Sequence, residues 1–204
     1  MTDPTPAATV TDQAALTEAL AAGPPTDQAT LTEADGANGA AVAGPPRVST
    51  VRPATAYDEN AAVTIWAAAR AATGLSPSDA RRTQIRGKLR APLALCLLAE
   101  DEGGEPVGML LAELGRSEDG RGKVTPGLLH LSMLFVTPGR QRTGVGRALV
   151  DALTGRYGWV SAWAAADNAG ALGGLQACGF TPTGRTQPVG DERSALQFEH
   201  SLTR

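Results

Sequence analysis

Cysteine, histidine and aromatic side chains are scarce in this chain, which has two cysteines, two histidines, three tryptophans, two tyrosines and three phenylalanines among 204 residues. Cys96 (in LALCLLAE) and Cys178 (in LQACGF) lie in apolar surroundings, with no CxxC pair and no histidine at metal-ligand spacing. That pattern excludes a disulfide-stapled scaffold and a zinc module, so both read as buried thiols and no metal is expected. Long apolar runs are missing too: no window approaches eighteen apolar residues, and the N-terminus opens on Asp3 rather than on a basic segment followed by an apolar one. No membrane association is expected, and a cytoplasmic location is the default. An excess of positive charge is also absent, since the net charge is -3. Without a broad positive field, nucleic acid is not an expected partner.

Glycine and proline are plentiful, at 24 and 14 residues, and proline helps mark a boundary. Residues 1–46 are rich in Ala, Pro and Thr, carry acidic residues without an aromatic, and read as a disordered acidic leader with a short helix allowed at TDQAALTEALAA. The folded domain is then 47–204, large enough for one substantial core. It opens with a β-branched stretch, RVSTVRPAT. The recurrence of Ala61, Ile65 and Ala69, widened by Trp66, predicts a helix over 58–72. Ser76, Pro77 and Asp79 form a start signal for a second helix reaching Arg90, with Ser76 as the cap. Its arginines read as a wet helical face.

PLALCLLAE and PVGMLLAELG flank DEGGE, the signature of an antiparallel hairpin. LLHLSMLFV, 128–136, reads as a central strand. Simple alternation puts His130, Ser132, Leu134 and Val136 on one side and Leu131, Met133 and Phe135 on the other. A helix carrying the stripe Val145, Leu149 and Leu153 follows, then a strand over 157–165, a short helix after Asn168 and two closing strands. The expected fold class is α/β, a mixed and mostly antiparallel central sheet flanked by helices.

The chemically informative segment is LFVTPGRQRTGVGRALV. Gly144 and Gly146 sit where a strand turns into a helix, so a diphosphate can approach the backbone closely. Amides from Arg142 through Thr143 and Val145 to Arg147 are then donors at a positive helix end. The GxGxxG dinucleotide fingerprint fails, because Leu149 stands where it needs glycine, and no GxxxxGK[ST] loop occurs.

This segment resembles the acetyl-coenzyme A motif of the GCN5-related N-acetyltransferases, [RQ]xxGx[GA] after a strand ending in V-x-P. Gln141, Gly144 and Gly146 fill its three defined places behind Val136 and Pro138. DNAGALGGLQACGFTPTGR is similar to the family's NxxAxxxYxxxGFxxxGR, matching at Asn168, Ala171, Gly179, Phe180, Gly184 and Arg185. The resemblance implies a splayed central strand pair, and acetyl-coenzyme A as cosubstrate. The backbone of Leu134 and Val136 would hold the pantetheine arm, residues 141–147 the diphosphate, and Asn168 the arm or the splay. An amide of Leu134 or Phe135 would face the oxyanion.

The implied reaction is direct acetyl transfer to a primary amine, on a small molecule or on a protein, without a covalent intermediate. His130 is the first candidate base and Glu113 the second, with Ser132 or water as a substitute acid. Each has a plainer reading, His130 as a hydrogen-bonded core residue and Glu113 as a solvated sheet edge. Leu175 departs from the pattern, standing where the family commonly carries a tyrosine that protonates the departing thiolate. That departure motivates the alternative of a non-catalytic acyl-coenzyme A sensor. Dimerisation, common in the family, is left open, as is the acceptor.

Overall fold

The computed structural model describes residues 48–116, 123–189 and 193–201. The acidic leader and its short helix lie outside these described residues. The elements run β1 (Val48–Pro53), α1 (Glu59–Ala72), α2 (Asp79–Leu89), β2 (Leu95–Asp101), β3 (Pro106–Arg116), β4 (Val124–Val136), α3 (Val145–Thr154), β5 (Trp159–Ala165), α4 (Ala169–Ala177), β6 (Thr181–Val189) and β7 (Arg193–Ser201), with a 3-10 turn at Ala56–Asp58 ahead of α1. One sheet takes all seven strands in the order β1-β2-β3-β4-β5-β7-β6. Every neighbouring pair is antiparallel except β4 and β5, which run parallel. The mixed α/β sheet of the sequence reading is therefore present.

Each face of the sheet buries its own core. On one face α1 lays Ala62, Ile65, Trp66 and Ala69 against Leu98, Met109, Leu111, Met133 and Phe135, joined by Ile85 of α2. On the other, Val145, Leu149, Val150 and Leu153 of α3 and Ala171 and Leu175 of α4 cover Leu110, Ala112, Leu129, Leu131 and Val160. The predicted stripe of α3 is thus its buried face, and Trp66 is fully buried in the core. Helix α2 starts two residues later than its sequence signal. Ser78, in extended backbone, is the cap and accepts the Arg81 amide at 3.3 Å, which leaves Pro77 ahead of the helix.

The decisive local feature is in β4. Leu111 pairs with Met133 and Ala112 with Leu131, so Ser132 is an extra residue, a β-bulge. The bulge shifts the phase of the strand. Leu129, Leu131, Leu134 and Val136 all belong with the α3 core, whereas Met133 and Phe135 belong with the α1 core. The simple alternation is corrected accordingly: Leu131 does not share a face with Met133, and His130 does not share one with Leu134. Cys96 and Cys178 are free and half-buried rather than fully buried.

Candidate active site

β4 and β5 pair only from Leu129↔Val160 to Leu131↔Ala162, although both strands continue beyond, to Val136 and Ala165. Past that point they part, and the wedge between them is lined by Leu131, Ser132, Met133 and Leu134 from β4, Ala162 and Trp163 from β5, and Leu175 from α4. The β4 edge facing this wedge has no ladder partner, so its main-chain groups are available to an extended chain laid alongside. Leu134 and Val136 are only partly buried there. The residues assigned to the arm thus border an open strand edge.

From Val136 the chain turns through residues 137–144 into α3. Gln141 Nε2 donates to the Val136 carbonyl at 3.4 Å, and Thr143 Oγ1 to the Arg140 carbonyl at 2.6 Å, which folds the loop on itself. Gly144 caps α3 with φ 91°, in the left-handed region, and Arg142 also has a positive φ of 61°. A Cβ on Gly144 would meet nothing within 4 Å, and one on Gly146 only the side chains of Val136 and Leu134, at 3.8 and 3.9 Å. The first helical bond runs from the Ala148 amide to the Gly144 carbonyl. The amides ahead of it are the orphan donors every helix start leaves, here on open ground at the positive end of the dipole. These residues fit a diphosphate.

Two arginines near this loop are partly committed elsewhere. Arg140 donates to Asp101 at 2.6 Å, and Arg147 to the Ala177 carbonyl at 3.2 Å while pairing with Asp151. Arg147 therefore also ties α3 to the end of α4. Asn168 is buried and accepts the Ala171 amide at 2.8 Å, so it is the cap of α4.

On the α1 and α2 face, β3 and β4 bring Glu113 opposite His130 in register. Lys88 of α2 reaches the Glu113 carboxylate at 3.1 Å. Burial opposes the Glu113 charge, but Lys88 leads the neighbours that outweigh it and hold the carboxyl below its ordinary range. Ser132 Oγ is also 3.5 Å from the Leu111 carbonyl. His130 Nδ1 lies 3.2 Å from Ser161 Oγ, whose own hydroxyl lies within donating reach of the Leu129 carbonyl, at 3.4 Å. Burial drives the His130 pKa down to about 4, against the opposing pull of Glu113. His130 is thus a neutral, closed-in imidazole, and Glu113, with its side chain 30% exposed, is the more accessible of the two candidate bases.

Residues 62–180 match the model of the acetyltransferase (GNAT) family. The chain belongs to this family. Solved GNAT folds are similar to it. The ribosomal-protein-alanine N-acetyltransferase from Brucella melitensis is 22% identical, with a TM-score of 0.56 over 75% of this chain and 99% of that one. A GNAT superfamily phosphinothricin acetyltransferase from Sinorhizobium meliloti, in complex with acetyl-coenzyme A, is 19% identical, with a TM-score of 0.57 over 75% of this chain and 88% of that one. At these identities the likeness is one of fold. No curated protein sequence is significantly similar to the chain. The wedge residues and the loop at 141–147 of this GNAT-family chain lie within the matched segment.

Sequence reasoning missed Lys88, Ser161 and Gly108. Lys88 is one cation among several on a polar helix, and its partner is 25 residues away. Ser161 sits in an alternating strand like any small residue. Gly108 had no turn signal around it, yet its bare Cα is what lets α3 seat on β3. Among the described residues no helix is long and apolar enough to cross a membrane, and no group of side chains is arranged to hold a metal.

Proposed function

We propose that the chain transfers the acetyl group of acetyl-coenzyme A to a primary amine by direct attack, without an acyl-enzyme. The observation that carries this reading is the wedge past Leu131, bordered by an unpaired strand edge and continuous in sequence with the open helix start at Gly144. An extended arm with amide groups suits such an edge, and a diphosphate suits the helix start.

In the transfer, the amine lone pair attacks the thioester carbonyl carbon. A nitrogen–carbon bond forms, and the carbon–sulfur bond then breaks with its electron pair going to sulfur. An outward amide of Leu134 or Phe135 stabilises the oxyanion between these events. Glu113 and His130 are both far weaker bases than a free alkylamine, so the neutral amine is drawn from the bulk equilibrium. The nitrogen loses its remaining extra proton as the amide forms, and Glu113 accepts it through the Ser132 hydroxyl or a water. Leu175, buried and lining the wedge, has no proton to give, so the thiolate takes one from solvent.

The acceptor is an amine on a small molecule or on a protein. The similar folds named above include one enzyme of each kind by description. The test is calorimetric titration with acetyl-coenzyme A and coenzyme A, followed by thiol release over a panel of amino acids, aminoglycosides, polyamines and peptides with free N-termini. Micromolar binding with amine-dependent thiol release supports the reading. Binding without release from any amine turns it towards the sensor that Leu175 suggests, and absence of binding overturns both.

A further inference from the structure

The end of α2 divides its cations between two partners. Arg86 donates to Glu59 of α1 at 2.6 Å, and Arg90 pairs with the same carboxylate. Lys88, two residues from each, leaves the helix on the other side, because positions i and i+2 do not face the same way. It meets the sheet at Glu113, 3.1 Å away, with its own side chain 22% exposed. Glu113 in turn stands opposite His130 on β4, two residues before Ser132, the bulge residue that lines the wedge. A cation held against a half-buried carboxylate favours its charged form and fixes its position.

We infer that Lys88 is a positioning residue of the transfer reaction: from α2 it holds the Glu113 carboxylate in place on the sheet, beside the bulge that lines the wedge, ready to accept the amine proton. This rests on the proposed function above. Among the described residues, Lys88 is the cation that pairs with Glu113. His130, opposite on β4, is buried and neutral. On β2, Cys96 has its thiol pushed up to about 12 by burial and is neutral as well. α1 presents apolar side chains to this core, namely Ala62, Ile65, Trp66 and Ala69.

The experiment uses the full chain as wild type, K88M and K88R. Glu113 is followed by carboxyl NMR titration, assigned with E113Q, and acetyl transfer to n-butylamine is followed against pH in parallel. In wild type, Glu113 titrates below its ordinary range, and the Glu113 bend of the rate profile falls with it. In K88M both the titration and the bend rise together by about one unit or more, while K88R restores both and the KM for acetyl-coenzyme A stays constant. An unchanged Glu113 titration in K88M overturns the role of Lys88 and leaves Glu113 as acceptor untouched. A shifted titration with an unmoved rate profile overturns Glu113 as the acceptor, and with it the catalytic meaning of Lys88.

Discussion

Gly108 of β3 lies so close under Val145, the first residue of α3, that a Cβ added to it would stand 2.5 Å from Val145 Cγ1 and 3.1 Å from Leu149 Cδ1. The contact sets how near α3 approaches the sheet, and therefore where the helix start at Gly144 sits. Gly108→Val should cost about 1–3 kcal/mol of stability through overpacking and weaken acetyl-coenzyme A binding by displacing the first turn of α3. Thermal denaturation and calorimetric titration of the same variant check both effects. A variant with an unchanged Tm and unchanged affinity contradicts this view of the contact.

The loop itself offers a sharper test. Gly146→Glu meets only ordinary van der Waals contact, so the fold should stand while a carboxylate enters the anion site. Affinity for acetyl-coenzyme A should fall by roughly tenfold or more, about 1.4 kcal/mol. Gly144→Ala adds no clash, but it places a side chain at positive φ, at a cost of about 1 kcal/mol in stability. Circular dichroism separates loss of fold from loss of binding. Full affinity in a folded Gly146→Glu protein removes the diphosphate from this loop.

His130 gives a signature in stability rather than in rate. Its folded pKa, about 4, lies below the ordinary 6.5, so the unfolded chain takes up the proton first as the pH falls. The His130 contribution is complete above pH 6.5 and lost between 6.5 and about 4, reaching up to about 3 kcal/mol. Urea denaturation at stepped pH should show this decline, and H130Q should flatten it. The rate profile should carry no histidine bend between pH 6 and 7. A bend there that disappears in H130Q would restore His130 as the base.

Leu175→Tyr supplies the hydroxyl missing from the wedge. It should raise kcat while leaving the KM for acetyl-coenzyme A nearly constant, because the proton is needed only as sulfur departs. Steady-state kinetics with one fixed amine checks this. An unchanged kcat in a folded L175Y protein shows that protonation of the thiolate does not limit turnover.

S132A separates the bulge from its hydroxyl. The extra residue remains, so the wedge and cofactor affinity should be retained. The hydroxyl proposed to pass the amine proton is lost, and kcat should fall. Equal losses in kcat and in acetyl-coenzyme A affinity would mean that the hydroxyl holds the wedge rather than passing the proton.

Most elements of this protein are written locally. The hairpin around DEGGE follows from a turn between apolar runs, the stripe Val145, Leu149 and Leu153 from helical period, and the open start of α3 from glycines at a strand-to-helix turn. These signals depend on residues a few positions apart, so composition and spacing suffice to read them. The side of the sheet on which His130 lies is another matter. Alternation along LLHLSMLFV puts it beside Leu134, but Ser132 bulges because β3 pairs Ala112 with Leu131, and that register exists only once the two strands meet. The same holds for Lys88 and Glu113, and for Arg140 and Asp101, whose pairing depends on how helix, hairpin and loop pack together. The chain alone determined its helices, its strands and the glycine turn into α3. Tertiary structure chose the partners, because a charge or a strand face has no fixed neighbour until distant segments are brought within a few ångströms.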